Sequence, residues 1–191
     1  MDAVPEGDAI RIEWTDNGDE RTEGYEVNRS VSGQGPFAKI VTIQDPDQRY
    51  HEDTVPSIDP RYFYTVNAID GEGGRSDPSD TLSYRLIRKA QDLQPRDSCG
   101  DIPEFRWRDD NSPHADAYIV RVRDKAAGNM VWIGTVQARY GDDYQSAVYN
   151  TDGTASVDRL QSNRAYEWRV DIIGNESRCG SESPWVSVTI Q

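Results

Sequence analysis

Hydrophobic and polar residues alternate with a period of two along most of the chain. Ile10, Ile12 and Trp14 lie on one face of the first such stretch, and residues 62–68 alternate in the same way. Clusters of Gly, Pro, Asn and Asp separate the alternating stretches, as turns separate strands. We interpret the one helix-like stretch, residues 86–93, as the end of a strand followed by a linker. The pattern predicts an all-β fold, either a sandwich or a barrel.

The second half of the chain repeats the pattern of the first half in the same order. Tyr25 follows Trp14 after 11 positions, and Tyr118 follows Trp107 after 11 positions. Each copy then continues into an alternating block, a glycine-containing loop and a final strand preceded by Ser and Pro. Repetition in a fixed order indicates two domains of one kind. The alternating blocks are residues 62–68 and 166–172.

The second copy is longer than the first copy in its middle. Two corresponding tyrosines are 37 positions apart in the first copy (residues 25–62) and 48 positions apart in the second (residues 118–166). The second copy therefore carries about 11 additional residues. We predict two domains, residues 1–89 and residues 90–191, the second with a longer central insertion. Sandwich domains of about 100 residues are common, which agrees with this division.

One ordered set of motifs is present in both copies. In the first copy it consists of Trp14, Tyr25, the block that begins at Tyr62, and the segment Ser-Asp-Pro-Ser at residues 76–79. The second copy keeps the order and places a leucine six positions before Tyr166. This set resembles the fibronectin type III domain, in which a Trp, a Tyr and a corner Tyr follow one another on successive strands. The resemblance covers nearly the whole chain.

The resemblance implies two tandem immunoglobulin-like β-sandwiches. One face of each strand then enters a core between two packed sheets. It also implies a location outside the cytoplasm, since many domains of this family belong to secreted or surface-anchored proteins, including bacterial ones. Seven aromatic residues are expected to be structural core and not a binding site: Trp14, Tyr25, Tyr62, Trp107, Tyr118, Tyr166 and Trp168.

Acidic residues outnumber basic residues by 34 to 21, which leaves a formal net charge of −13. Such a surface repels the phosphates of nucleic acids and anionic lipid headgroups, so we expect neither partner. No run of 18 apolar residues occurs, so we expect no direct membrane insertion by this segment. Residues 1–7 have neither a basic start nor an apolar stretch, so we expect an export signal or anchor to be absent from this sequence.

Asp and Arg dominate the charged residues. Lys39, Lys89 and Lys125 are the only lysines, and aspartate outnumbers glutamate about two to one. A surface rich in Asp and poor in Lys is strongly hydrated and tolerates screening by salt. We therefore hypothesise a protein from a high-salt source; the alternative is an ordinary acidic secreted protein.

Cys99 and Cys179 are the only cysteines, and both lie in the second copy. Neither has the neighbouring Cys or His that a zinc site needs, and acidic neighbours disfavour a reactive thiolate. We expect a disulfide between them, which would close a loop of about 80 residues and stabilise the fold by ~4 kcal/mol. The alternative is two independent thiols.

Catalytic groups are few. The only histidines, His51 and His114, are expected to face solvent, and the sequence has neither a nucleophile elbow nor a phosphate-binding loop. We therefore predict that the protein is not an enzyme and needs no cofactor.

Two acidic loops are weak candidates for calcium, which takes six to eight oxygen ligands. Neither loop has the EF-hand spacing, and we favour hydrated acidic turns as the interpretation. The candidate ligands are Asp16 and Asp19 in the first copy, and Asp109 and Asp110 in the second copy.

The middle of the second copy carries aromatic residues among Gly, Asp and Gln. Trp132 alternates with Val131 and Ile133, which predicts that its indole faces outward. Proteins often hold sugars by stacking them on such rings, so Trp132, Tyr140 and Tyr144 are a candidate ligand platform. The alternative, which we favour, is that Trp132 covers a neighbouring strand or the domain junction.

The expected function is that of a non-catalytic extracellular spacer or protein-interaction module of the adhesion type. The expected partner is an unknown protein or polysaccharide at the cell surface. The alternative function is a carbohydrate-binding accessory module that uses the aromatic residues of the insertion. Two sequons, Asn28-Arg29-Ser30 and Asn175-Glu176-Ser177, permit glycosylation in a suitable host.

Overall fold

The structure is a computed structural model that describes residues 9–54, 57–111, 113, 115–141 and 144–191. Strands and turns account for the regular structure of these residues, which confirms the all-β prediction. None of the described segments is a helix able to cross a bilayer. The chain folds as two compact units, Met1–Leu86 and Ile87–Gln191. The division lies three residues before the predicted boundary, because Ile87 packs into the core of the second unit.

The first unit is a sandwich of two antiparallel sheets. Its described residues form β1 (Ile10–Glu13), β2 (Thr22–Ser30), β3 (Ala38–Ile43), β4 (Tyr50–Asp53), β5 (Arg61–Asp70) and β6 (Leu82–Leu86). One sheet pairs β1 with β4, and the other has the order β6–β5–β2–β3.

The core of the first unit lies between these two sheets. Ile10 and Ile12 of β1 and Tyr25 of β2 are buried there, together with Tyr62 of β5. Trp14 is partly buried and meets Tyr25 edge to face, with ring centroids 5.2 Å apart. Aromatic pairs of this geometry contribute about 0.5–1.5 kcal/mol beyond the area they bury.

The second unit is a larger sandwich. Its described residues form β7 (Gln91–Gln94), β8 (Asp97–Cys99), β9 (Glu104–Arg108), β10 (Ala117–Asp124), β11 (Met130–Gln137), β12 (Tyr144–Val148), β13 (Ala165–Ile173), β14 (Cys179–Glu182) and β15 (Val186–Ile190). One sheet has the order β12–β9–β7. In the other sheet β10 lies between β11 and β13, β14 and β15 both pair with β13, and β8 pairs parallel with β15.

The aromatic core of the second unit repeats the contact seen in the first. Trp107 of β9 and Tyr118 of β10 are completely buried, with ring centroids 5.1 Å apart in an edge-to-face arrangement. The shared spacing of 11 positions thus produces the same ring pair in both units. Tyr166 and Trp168 of β13 are also buried, and the Trp168 indole donates a hydrogen bond to the Pro95 carbonyl oxygen at 3.0 Å.

The additional residues of the second copy lie mainly between β12 and β13. This connection is 16 residues long (149–164), whereas the corresponding connection between β4 and β5 has seven residues (54–60). Tyr149 and Leu160 bury their side chains in the core. The Ser156 amide donates a hydrogen bond of 2.8 Å to the Val131 carbonyl oxygen on β11. The connection therefore covers the edge of β11.

Charged side chains form ion pairs across the outer sheet face of the second unit. Arg121 bonds Asp171 at 2.5 Å and Arg123 bonds Glu167 at 2.7 Å, in each case from β10 to β13. Trp185 adds an aromatic face to this arrangement, because the Arg123 guanidinium lies 4.0 Å from its ring centroid. Both arginines therefore have an ion-pair partner within the unit.

The same face of the first unit centres on Glu26 of β2, which is buried. One of its carboxylate oxygens accepts hydrogen bonds from Lys39 at 3.2 Å and from Arg75 at 3.0 Å. Lys39 lies on β3, the strand at the end of the sheet. A lysine at this position also discourages edge-to-edge pairing with another chain.

The predicted disulfide between Cys99 and Cys179 is wrong. Just beyond one end of β13, the Gly174 amide donates a hydrogen bond of 2.9 Å to the Cys179 carbonyl oxygen. Just before the other end of β13, the Arg164 carbonyl oxygen accepts a hydrogen bond from the Ile190 amide, and Cys99 is the strand partner of Ile190. Positions 164 and 174, which flank β13, are ten residues apart, and ten residues of extended chain span about 30 Å at ~3.3 Å per residue. A disulfide needs Cα atoms within about 7 Å. The two thiols are not bonded to each other.

Candidate interaction surface

A groove of about 440 Å³ follows β9 and β12 and reaches the connection between β11 and β12. β12 is an end strand of its sheet, so the groove lies at a sheet edge. Residues of both strands and of the neighbouring connection supply its walls. Its lining residues are Glu104, Arg106, Arg139, Gly141, Tyr144, Gln145 and Ser146.

Two of the three predicted platform residues lie at this groove. Tyr144 lines it and is 51% exposed, and Tyr140, which precedes the lining residue Gly141, is 74% exposed. The Tyr144 hydroxyl donates a hydrogen bond of 3.4 Å to an oxygen of Asp92. Both rings are therefore available to a partner.

The third predicted platform residue, Trp132, is buried, so the prediction of an outward-facing indole is wrong. The pairing of β10 with β11 is irregular, since Val122 faces Trp132 whereas Arg123 faces Met130. This bulge turns the side chains of Val131 and Trp132 inward together. The Trp132 indole N–H donates a hydrogen bond of 2.9 Å to Asp152 in the covering connection. Trp132 is a core residue.

The guanidinium groups of Arg106 and Arg139 are the unusual feature of the groove. In the part of the chain that the structure describes, neither group has a hydrogen-bond or ion-pair partner. By contrast, Arg108, two residues along β9, lies 3.3 Å from Asp92 and 3.1 Å from Asp110. In a chain of net charge −13, the lining of this groove thus carries two arginines without ion-pair partners among the described residues, against one acidic residue, Glu104.

Gln145 fixes the position of one of these arginines. Its side chain is 1% exposed and bonds both backbone groups of Arg139: the amide N–H donates to Oε1 at 2.9 Å, and Nε2 donates to the carbonyl oxygen at 3.0 Å. A side chain that satisfies both groups holds the local backbone in one conformation. Less conformational entropy is then lost when a partner binds.

The candidate calcium ligands of the first unit are occupied by other contacts. Asp16 accepts the backbone N–H of Gly18 at 2.8 Å and bonds Arg49 at 2.6 Å. Asp19 bonds the side chain of Arg21 at 2.8 Å, and this hydrogen bond is the main reason that the pKa of Asp19 lies at about 2. The loop thus satisfies its carboxylates with arginines and backbone amides.

The candidate ligands of the second unit have structural roles of the same kind. Asp109 is completely buried: it accepts the backbone N–H of Asn111 at 2.9 Å and of Ala115 at 3.2 Å, and the hydroxyl of Tyr118 at 2.8 Å. Burial first, and then this bond to Asp109, raise the pKa of Tyr118. Asp110 bonds an arginine at 3.1 Å. Among the described residues, no three acidic, His or Cys side chains lie together as a metal site would require.

The first unit contains a corresponding buried carboxylate. Asp53 at the end of β4 accepts hydrogen bonds from Arg29 at 2.8 Å and from the hydroxyl of Tyr64 at 2.9 Å. Burial, and then the charge of Asp53, raise the pKa of Tyr64. Each unit therefore has one buried aspartate that bonds a core tyrosine.

Tyr166 has the corner geometry that the sequence predicted. Its ring is buried, and its hydroxyl oxygen accepts a hydrogen bond of 3.1 Å from the backbone N–H of Gln161. A corner tyrosine of this kind, between sheets with the strand pairings described above, is typical of immunoglobulin-like sandwiches. The fold is fibronectin type III-like. The tandem arrangement expected from the repeated motifs is present as two such units.

Solved structures to which the chain is similar include three chicken proteins, each with a TM-score below 0.5. The FN1–FN3 domains of chicken CNTN1 are 16% identical with a TM-score of 0.43; the match covers 96% of this chain, which spans 63% of that one. A two-domain fibronectin type III segment of chicken tenascin is 15% identical with a TM-score of 0.38, covering 98% of this chain and 94% of that one. The chicken interferon gamma receptor alpha chain is 12% identical with a TM-score of 0.41, covering 95% and 92%. No family model matches the chain, and no curated protein matches it.

Sequence reasoning missed the arginines of the groove and the residue that fixes one of them. Arg106 alternates with Phe105 and Trp107, which predicts that its side chain leaves the core. That pattern does not reveal whether an acidic partner lies nearby, because partners come from other strands of this fibronectin type III-like sheet. Gln145 gave no signal, since a glutamine between a tyrosine and a serine suggests an exposed position.

Proposed function

We propose that this chain is a non-catalytic protein-interaction and spacer module of an extracellular protein, and that it contacts its partner through the groove beside Tyr144. The observation that carries the proposal is the pair of uncommitted guanidinium groups, Arg106 and Arg139, next to two exposed tyrosines. Arg and Tyr are among the residue types that supply most of the binding energy at protein interfaces.

The polar interior of both units supports a binding role in preference to a catalytic one. The buried carboxylates Asp53 and Asp109 bond structural donors from their own unit. Neither lies among the residues that line the groove. The groups left for a partner are therefore on the surface. The extracellular location is proposed from the wide use of such sandwiches in cell-surface proteins.

A carbohydrate-binding module is the second candidate function. It is favoured by the exposure of Tyr140 and Tyr144, since flat rings beside polar side chains suit sugar rings. The burial of Trp132 counts against this function, because the largest ring of the predicted platform is bonded to Asp152 and is not exposed to a sugar. Two tyrosines and two arginines suit a protein surface better than a neutral sugar.

The test places a photoreactive benzoylphenylalanine at position 140 or 144 of the full chain and irradiates it with the exported proteins of the source cells. We expect one protein adduct at these two positions. The adduct should be lost when Arg106→Ala and Arg139→Ala are introduced together. The control carries the same probe in place of Glu72, an exposed residue of the first unit.

Protein binding, carbohydrate binding and a spacer role predict different outcomes of these assays. Adducts no stronger than those at position 72 would contradict a protein partner at the groove. Retention on polysaccharides that is lost in a variant with Tyr140→Ala and Tyr144→Ala would establish the carbohydrate function. Failure of both assays would leave the spacer role alone.

A further inference from the structure

The two N-glycosylation sequons of the chain lie in opposite structural settings. Asn28-Arg29-Ser30 belongs to β2, and Asn175-Glu176-Ser177 belongs to the connection between β13 and β14. A transferase that modifies a folded protein must take the acceptor segment into its own active site. The segment therefore has to leave its surroundings or project from them.

The Asn28 sequon is part of the sheet. β2 lies between β3 and β5, with Asn28 opposite Lys39 on one side and Thr65 on the other. The Asn28 amide nitrogen donates a hydrogen bond of 2.9 Å to Asn67. Ser30, which completes the sequon, is buried. Removing this segment from the sheet would break the centre of the first unit.

The Asn175 sequon lies at the tip of a tight hairpin. The hydrogen bond between the Gly174 amide and the Cys179 carbonyl oxygen, 2.9 Å long, closes the hairpin below it. All four residues between them, 175–178, are exposed. Arg178 has a left-handed φ of 54°, which allows the chain to turn back within so few residues. The structure gives the Asn175 side chain no hydrogen bond to any described residue.

We propose that Asn175 is an N-glycan acceptor of the folded protein and that Asn28 is not. The donor is a lipid-linked oligosaccharide. The Asn175 amide nitrogen forms a bond to C1 of the first sugar, and the bond between C1 and the phosphate oxygen of the donor breaks. The lipid phosphate leaves with the electron pair, and one amide proton passes to a base of the transferase. This modification is independent of the groove beside Tyr144.

The experiment incubates the folded full chain with a lipid-linked oligosaccharide and a detergent-solubilised oligosaccharyltransferase. We expect the intact mass to rise by one glycan and peptide mapping to place it on Asn175. Asn175→Gln and Ser177→Ala should each abolish the shift, whereas Asn28→Gln should keep it. A synthetic peptide of residues 24–34 should be modified at Asn28, because no sheet protects it there.

Three results would overturn the proposal. The first is a folded chain that stays unmodified at Asn175 while a reference acceptor peptide is fully converted. The second is modification of Asn28 in the folded chain at a rate similar to that of Asn175. The third is failure of the 24–34 peptide to react, since Asn28 would then be excluded by its sequence and not by the fold.

Discussion

Replacing Asp109 by alanine tests how strongly a buried carboxylate stabilises the second unit. The side chain accepts the backbone amides of Asn111 and Ala115, and also the Asn111 side chain at 2.7 Å and the Tyr118 hydroxyl. Asn111 in turn bonds both backbone groups of Arg88, each at 2.9 Å. The carboxylate therefore joins the connection between β9 and β10 to the start of the unit.

The expected loss of stability comes from the backbone N–H donors that would remain without an acceptor in the Asp109→Ala variant. Asn111 and Ala115 are buried, so water does not readily replace the missing acceptor. A hydrogen bond to a charged group contributes about 1.5–3 kcal/mol, and two buried amides lose such a bond. We expect Asp109→Ala to lower the free energy of unfolding of the second unit by about 3–5 kcal/mol. Tyr118→Phe removes one donor and should cost about 1–2 kcal/mol.

Urea unfolding followed by tryptophan fluorescence measures both variants. Four of the five tryptophans lie in the second unit, and Trp14→Phe removes the one in the first unit. The double variant Asp109→Ala/Tyr118→Phe completes a cycle, in which the two losses should not add. A loss below about 1 kcal/mol for Asp109→Ala, or one no larger than that of Tyr118→Phe, would refute this account of the carboxylate.

Three other predictions follow from single contacts. A Cβ on Gly134 would lie 2.2 Å from the Trp132 ring, so Gly134→Ala should destabilise the second unit by about 1–3 kcal/mol in the same urea assay. Because the pKa of Asp19 is lowered from 3.8 to about 2, its stabilising contribution is complete above its ordinary pKa and is lost as the pH falls towards 2. A carboxyl titration by NMR should show this midpoint, and Asp19→Asn should remove the corresponding part of the acid unfolding. Unreduced protein that is unfolded in iodoacetamide should take up two equivalents, one at each cysteine, whereas a disulfide would leave none.

The sequence predicted the parts of the fold that depend on spacing along one chain. Trp14 directly follows β1 and Tyr25 lies on β2, while Trp107 and Tyr118 lie on β9 and β10, and equal spacing gave equal ring contacts. The corner residue Tyr166 could be recognised for the same reason, since its bond partner lies five positions earlier. Contacts between residues that are close in the sequence can therefore be recognised from the spacing of residue types alone.

The parts that sequence could not predict depend on contacts between distant strands. The bulge opposite Val122 reversed the direction of Trp132, and alternation along β11 alone gives no sign of it. Cys99 and Cys179 share a domain, but only the strand register reveals the distance between them. Whether Arg106 has an acidic partner is likewise decided by strands far away in the sequence.

The long connection over β11 also affects how reliably the chain folds. Two similar sandwiches in one chain can exchange equivalent strands before either is complete, which is a common misfolding route in repeat proteins. Here β3 and β11 are the equivalent strands, but only β11 supplies the indole to which Asp152 of the connection bonds. A β3 segment in that position would offer the connection a backbone carbonyl oxygen but no indole for Asp152. The second unit therefore favours β11 over β3 at this position, which opposes one route of misfolding between the two repeats.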